Sequence, residues 1–133
     1  MRYYIVLFIL LCMSCTESTS YIDNEIEINI ESGLKNINGY FIMNVDTSYS
    51  QTFHKISANI TGETIRVIWS ADTTWKYNHI GLDFNVPIIN KFSYVSDGIA
   101  YTIFAPVKEL IGDTVKIVAA TEGVSDSIYV ILH

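Results

Sequence analysis

Basic residues, prolines and cysteines are all scarce in this sequence of 133 residues, and each scarcity excludes a class of protein. Only two prolines and two cysteines occur, so neither a proline-rich disordered chain nor a disulfide-stapled scaffold is indicated. The chain has eight basic and fourteen acidic residues, which gives a formal net charge of -6. A nucleic-acid binder needs a basic face to neutralise phosphates, so we expect no nucleic-acid partner.

Catalytic sequence motifs are also missing. The chain contains no G-x-S-x-G or S-x-x-K nucleophile context and no glycine-rich phosphate loop. The one grouping that invites an acid–base or metal site is His54, His79 and Asp83. The last two are four residues apart, which in one extended strand separates them by about 13 Å. We therefore expect no catalytic residue, no metal site and no cofactor, and a protein that is not an enzyme.

The N-terminus has the order of an export signal. Met1 and Arg2 precede an apolar run of 11 residues, 3–13, which is followed by Ser14 and Cys15. One basic residue, a short apolar stretch and a small residue are typical of a secretory signal. Spanning a bilayer takes roughly 20 apolar residues, so the run is too short for a transmembrane anchor.

The four residues Cys12-Met13-Ser14-Cys15 resemble the lipobox of bacterial lipoproteins. That resemblance implies that residues 1–14 are a signal peptide removed by cleavage, that Cys15 carries the lipid, and that residues 15–24 form a tether. It implies a protein held to a membrane of the cell envelope, the outer membrane being favoured, with its domain in the periplasm or outside the cell. Two alternatives stay open: ordinary secretory cleavage after Ser14, which leaves Cys15 as a lone thiol, and a retained anchor.

From residue 25 onward apolar residues recur with a period of two, which predicts β-strands. Asp97-Gly98 and Glu122-Gly123 predict hairpin turns, because glycine tolerates the positive φ of a tight turn. The segment 106–112 predicts one helical turn, and Gly81 indicates a bulge or a break in the less regular run 75–86. Short strands at this spacing predict a two-layer antiparallel sandwich. The strands are predicted over 25–31, 39–45, 51–60, 63–71, 75–86, 91–95, 99–105, 114–121 and 125–132.

Near the C-terminus, Asp113, Val115, Ile117 and Ala119 resemble the D-x-A-x-Y-x-C pattern of immunoglobulin-like domains. Ile117 and Ala119 stand at that pattern's tyrosine and cysteine positions, so neither the tyrosine-corner hydrogen bond nor the inter-sheet disulfide is expected. The resemblance implies that residues 25–133 form one immunoglobulin-like antiparallel β-sandwich. The sequence resembles the disulfide-free immunoglobulin-like modules of bacterial surface proteins more than it resembles antibody domains. Such modules usually bind a partner or act as spacers, and few are enzymes.

The aromatic residues supply the candidate binding site. Trp69 is interpreted as the core tryptophan of the sandwich. Trp75 and Tyr77 adjoin a polar segment and are the candidates for contact with a partner, whereas packing of Trp75 on a neighbouring sheet is the interpretation that the composition of small sandwiches favours. We expect the loops at one sandwich end, 70–77 and 96–98 with Asp97, to carry the contacts.

The function predicted from these features is that of a small cell-envelope lipoprotein, a non-catalytic binding or accessory module with a protein or glycan partner. Two alternatives belong to other classes. A secreted or periplasmic inhibitor or immunity-type protein suits the acidic surface, which attracts basic partners. A carbohydrate-binding module suits the aromatic residues, which can stack on sugars.

Overall fold

Nearly all of the regular structure is strand, as the alternating sequence predicts. The computed structural model of the protein describes residues 25–30, 34–36 and 38–133. The predicted signal peptide, Cys15 and the tether 15–24 lie outside the described residues. The strands are β1 Glu25–Ile30, β2 Leu34–Lys35, β3 Phe41–Met43, β4 His54–Thr61, β5 Arg66–Ala71, β6 Thr74–His79, β7 Leu82–Pro87, β8 Phe92–Ser96, β9 Ile99–Phe104, β10 Thr114–Thr121 and β11 Val124–Leu132.

These strands form two layers joined through β8. One layer runs β1-β4-β9-β8, and the other runs β8-β5-β10-β11-β3-β2. Strand β8 serves both layers because Val95 and Ser96 pair with β9 while residues 92–94 pair with β5. With β1, β4, β9 and β8 taken as strands A, B, E and D, and β5, β10 and β11 as C, F and G, this is the immunoglobulin order. The predicted all-β sandwich is confirmed.

One pair of strands departs from the predicted antiparallel arrangement. Strand β3 lies parallel to β11, with Phe41 opposite Val130 and Met43 opposite Leu132. The first layer holds β1 and the second holds β2 and β3, so the chain crosses between the layers before β2, and β3 lies between β2 at the edge and β11, the last strand. Pairing that depends on such a crossover leaves no signal in the local alternation of either strand.

The space between the layers is filled by the inward-facing residues of both. Trp69 is 1% exposed, and its indole Nε1 donates to the Ser93 Oγ at 2.7 Å, so its interpretation as the core tryptophan is confirmed. Ile117 and Ala119 are fully buried, which means that apolar packing occupies the positions of the missing tyrosine and cysteine. Burial of each large apolar side chain contributes roughly 1.5–3 kcal/mol.

The turns follow the glycine pattern. Asp97 and Gly98 both have positive φ, 52° and 75°, and connect β8 to β9 as a two-residue hairpin turn. The predicted helical turn is a 3₁₀ turn at Lys108–Leu110. Asp113 follows it, and its amide donates to the Leu110 carbonyl oxygen at 3.0 Å. The predicted turns are therefore confirmed.

Candidate binding surface

Strands β6 and β7 form a hairpin where the sequence predicted a less regular run with a bulge or a break at Gly81. Its turn is Ile80-Gly81, and both residues have positive φ, 52° and 77°. Gly81 therefore marks the strand break that the sequence allowed, in the form of a chain reversal, and not the alternative bulge. Within the described residues, β6 and β7 hydrogen-bond to each other as a separate two-stranded sheet and not to the larger sheet.

The register of this hairpin divides its side chains into an apolar face and a polar face. Directly opposite residues share a face in an antiparallel pair, and successive residues alternate between faces. The apolar face, called here the hairpin face, is made of the pairs Trp75–Val86, Tyr77–Phe84 and His79–Leu82. The reverse face carries Thr74, Lys76, Asn78, Asp83, Asn85 and Pro87. All charged lysine and aspartate side chains of the hairpin thus point away from the apolar face.

The β6 side of the hairpin face is a column of three rings. The ring centroids of Trp75 and Tyr77 are 4.9 Å apart with planes tilted by 48°. Tyr77 and His79 stack at 6.0 Å with planes only 14° apart. Ring contacts of this kind contribute about 0.5–1.5 kcal/mol beyond the area they bury. The column is therefore ordered by its own contacts.

The hairpin face is uncovered over most of its length. Tyr77 is 40% exposed, Phe84 48% and Leu82 63%, and Ile80 at the tip is 88% exposed. Trp75 is only partly buried and packs against the edge of the core. An apolar surface of this continuity is unusual on a protein without a partner.

This face continues the core-facing side of the sandwich beyond its second layer. In β5, Val67 and Trp69 point inward and Ala71 packs against the core. Strand β6 keeps the same phase, since its apolar residues also occupy odd positions, from Trp75 to His79. The hairpin therefore presents a core-like face in a place where residues 25–30, 34–36 and 38–133 supply no opposing sheet.

The base of the hairpin is fixed to the sandwich on both sides. The Asp72 amide donates to the Lys116 carbonyl oxygen at 3.1 Å, and the Lys116 amide donates back to the Asp72 Oδ1 at 2.9 Å. On the return strand, Ile88 is buried and its carbonyl oxygen accepts from the Ala105 amide at 2.7 Å. The hairpin is thus attached firmly at its base.

The structure separates the residues that the sequence grouped as one binding site. Trp75 and Tyr77 lie in the hairpin that precedes the first residue of β8, whereas Asp97 follows its last residue. The turn that contains Asp97 contacts the far end of β4, where the Ile60 amide donates to the Gly98 carbonyl oxygen at 2.7 Å. The expectation that 70–77 and 96–98 share one sandwich end is wrong, because a strand's length separates them.

The histidines do not form a common site with Asp83. His54 is half-buried on β4, and its ring Nε2 lies 3.1 Å from the Asn44 carbonyl oxygen. Burial lowers the pKa of His54, and that hydrogen bond partly opposes the shift. Within the described parts of the chain, no three histidine, cysteine or acidic residues are placed to hold a metal ion.

The separation expected between His79 and Asp83 was wrong. The chain reverses between them, so they lie on adjacent strands rather than along one. Their side chains nevertheless point to opposite faces, and the Asp83 Oδ1 accepts from the Asn78 Nδ2 at 2.7 Å. Asp83 therefore belongs to the polar reverse face.

Sequence reasoning found two residues of the hairpin face and missed the other half of it. Leu82, Phe84 and Val86 lie on β7, which the sequence predicts only as part of the less regular run 75–86. The signal was present: odd-numbered apolar residues before Ile80-Gly81 change to even-numbered ones after it. A two-residue turn produces that change of parity, because the residues it pairs have numbers of opposite parity.

A second concavity lies at the opposite end of the sandwich, near Asp97. It is an open cleft of about 290 Å³ lined by Glu63, Thr64, Ile65, Arg66, Ile68, Thr121 and Glu122. The Thr121 Oγ1 is buried there without a hydrogen-bond partner. The cleft mixes both signs of charge with apolar walls, so it does not define a ligand.

No protein-family model matches the chain, and comparison with curated proteins gives no match. Over the described residues, no helix has the length and apolar character needed to cross a membrane.

Proposed function

We propose that the protein is a lipid-anchored, non-catalytic module of the cell envelope that binds a protein partner through the hairpin face. The anchor would be Cys15, acylated after removal of residues 1–14, and the module would be the immunoglobulin-like sandwich. The favoured location is the outer membrane, with the sandwich in the periplasm or outside the cell. The anchor is supported by the N-terminal sequence and the partner by the hairpin.

The observation that carries the binding role is the uncovered apolar face of the hairpin. Buried aromatic side chains dominate the energetics of protein interfaces, and such anchors cluster near the interface centre. Tyr77 and Phe84 lie opposite each other at the middle of the hairpin face and are each about half exposed. A partner that covers them would complete the core-like face that the sandwich leaves open.

The conformation of Ile80 supports the same role. A β-branched residue at positive φ is a backbone outlier, and asparagine is the usual residue at this position of the turn. Ile80 is also 88% exposed, so neither local conformation nor burial within the chain favours isoleucine there. Strained residues are retained at sites where the side chain is used.

Glycan binding is the second candidate, because the Trp75–Tyr77–His79 column offers ring faces for stacking. Sugar recognition also requires polar groups beside the rings that fix the hydroxyls. Here the neighbouring column is Leu82, Phe84 and Val86, which offers none. The flanking column therefore favours an apolar protein surface over a sugar.

The binding role is tested by isolating the protein from envelopes together with whatever it binds. Tyr77→Ser combined with Phe84→Ser should abolish co-purification of the partner, whereas the reverse-face variant Asn85→Ser should retain it. Equal recovery with both variants would remove the hairpin face from consideration. The anchor is tested separately by intact mass, since Cys15→Ser should eliminate the acylated and cleaved species.

A further inference from the structure

We infer that the hairpin binds a different protein by strand addition, in which an extended segment of that protein pairs along the outer edge of β6. This inference rests on the proposed function, because it names how a partner of the hairpin attaches. Four observations carry it: the hydrogen-bonding phase of the hairpin, the pairing at its base, the difference between its two edges, and the charge at Lys76.

The two-residue turn fixes which backbone groups of the hairpin point outward. In such a turn the two flanking residues, here His79 and Leu82, bond to each other through their backbones. Bonded and non-bonded pairs then alternate along an antiparallel ladder, so the three pairs of the hairpin face are the bonded ones. The residues of the reverse face direct their amides and carbonyls away from the opposite strand, and on β6 these are Thr74, Lys76 and Asn78.

Pairing at the base of the hairpin agrees with this phase. Strand β10 pairs along β5, and beyond β5 the Asp72 amide still donates to the Lys116 carbonyl oxygen at 3.1 Å. Asp72 has the same parity as the outward residues of β6, and residues two apart in a strand present their backbone groups to the same side. Within the described residues no strand other than β7 pairs with β6. An added strand therefore extends the row that β10 begins.

The two edges of the hairpin differ in what they offer to such a strand. Every outward residue of β6 supplies one amide donor and one carbonyl acceptor, so its row is complete. The outward row of β7 is interrupted because proline has no amide hydrogen, and proline on an edge is one means by which proteins prevent strand addition. The outward residues of β7 are Asp83, Asn85 and Pro87. The edge of β6 is therefore the one that accepts a strand.

The hairpin face defines half of the side chains of the added strand. Successive residues of a strand alternate between faces, so every second residue of the partner segment lies beside the column of Trp75, Tyr77 and His79. Apolar side chains at these positions cover the exposed edges of the rings, and such cross-strand pairs stabilise a sheet. Strand β6 has six residues, so a segment of about six residues with alternate apolar side chains matches it.

The charge on the reverse face defines the other half. Lys76 is exposed and stands directly across from the uncharged Asn85, while the nearby Asp83 carboxylate accepts from the Asn78 Nδ2. Opposite charges on neighbouring strands are favourable, so the central reverse-face position of the partner segment is expected to be aspartate or glutamate. This charge complementarity and the row of backbone groups together distinguish an extended polypeptide from a bilayer or a folded apolar surface.

Proline substitution at opposite positions of the two edges tests the inference on the full chain isolated from envelopes. Lys76 and Asn85 stand across from each other and both direct their amides outward. Lys76→Pro and Asn85→Pro therefore each remove one edge donor and leave the bonds between β6 and β7 in place. We expect Lys76→Pro to reduce co-purification of the partner by about tenfold or more, and Asn85→Pro to retain it. Equal melting temperatures of the two variants check the fold.

Hydrogen exchange on the unmodified chain is the independent measurement. In the isolated complex, the amides of Thr74, Lys76 and Asn78 should exchange about tenfold or more slowly than in the free chain. The amides of Asp83 and Asn85 should change less, because the edge of β7 stays open. Lys76→Thr keeps the amide and removes the charge, so it should bind more weakly than the unmodified chain and more tightly than Lys76→Pro.

The outcomes separate strand addition from the function on which it rests. Loss of the partner with Lys76→Pro alone, together with slowed exchange at the β6 amides, supports both. If Tyr77→Ser with Phe84→Ser abolishes binding but the proline variants behave alike, or the β6 amides are not slowed, strand addition is overturned and the binding role stays. Recovery of only a second copy of this chain overturns the different protein named here. Binding that survives Tyr77→Ser with Phe84→Ser, or recovery of no protein at all, overturns both.

Discussion

Residues at positive φ differ in how much stability their backbone conformation costs. Gly98 and Gly81 occupy left-handed positions that glycine adopts without strain, whereas Ile80 adopts one at a cost. The sequence predicts a turn or a break at each of these glycines, because the conformational freedom of glycine is a local property. The conformation of Ile80 was not predicted, because its side chain contradicts the local preference and the role proposed for it concerns a surface outside the chain.

Replacement of Ile80 at the hairpin tip is expected to change stability and partner binding in opposite directions. Ile80→Asn should raise the free energy of unfolding by about 1 kcal/mol, since asparagine tolerates the left-handed region better. It should also weaken attachment of the partner. Urea denaturation and co-purification measure the two effects. A loss of stability in this variant would show that contacts of the Ile80 side chain within the chain stabilise the fold, and would contradict this account.

A methyl group at the β8–β9 turn is expected to be costly for two reasons. Gly98→Ala puts a Cβ 3.3 Å from the Ile60 carbonyl oxygen, at a φ of 75°. We expect it to lower the free energy of unfolding by more than about 1 kcal/mol. Gly123→Ala is the matched control, because it has a similar φ but open space around the added atom. Equal losses in the two would assign the whole cost to φ.

The half-buried His54 predicts that the protein loses stability in mild acid. The folded pKa of His54 lies below its ordinary value of 6.5, so between the two values the unfolded chain binds more protons. Stability should therefore fall as pH decreases through 6.5 and level off below the folded pKa. His54→Gln should flatten this slope in unfolding curves taken from pH 7.5 to 5. An unchanged slope in His54→Gln would contradict the burial argument.

Among the elements, the hairpin is the one for which the sequence predicted strand but not the chain reversal. Alternation identified the strands because each has one buried face, as in β10 with Val115, Ile117 and Ala119. The same rule failed at residues 75–86, because an apolar residue stands where a turn usually has asparagine. The parallel β3–β11 pair was also missed, since neither strand encodes the direction of its neighbour.

The base of the hairpin is expected to depend on one carboxylate. Asp72→Ala removes the acceptor of the Lys116 amide, and a hydrogen bond of this kind contributes about 1 kcal/mol. Hydrogen exchange at the Lys116 amide should accelerate, and partner binding should weaken because the hairpin loses its fixed angle. Glu122→Ala, at the other end of the sandwich, should change neither. Unaltered exchange at Lys116 would show that the backbone bonds alone hold the base.

At the scale of the whole molecule, the two ends of the sandwich carry different features. The described chain begins at Glu25 near one end, and the hairpin extends from the other. The sequence predicted the sandwich from strand number and the corner at Asp113. It could not separate Asp97 from Trp75, because which loops share an end depends on strand direction and pairing rather than on spacing.

The central claim is that the hairpin face is covered in the envelope. Hydroxyl-radical footprinting tests it directly by comparing intact envelopes with the protein diluted in detergent. Tyr77 and Phe84 should be protected in envelopes and become reactive on dilution, while Tyr94, which is 75% exposed and lies outside the hairpin, should react equally in both. Equal reactivity of Tyr77 and Phe84 in the two preparations would contradict the claim.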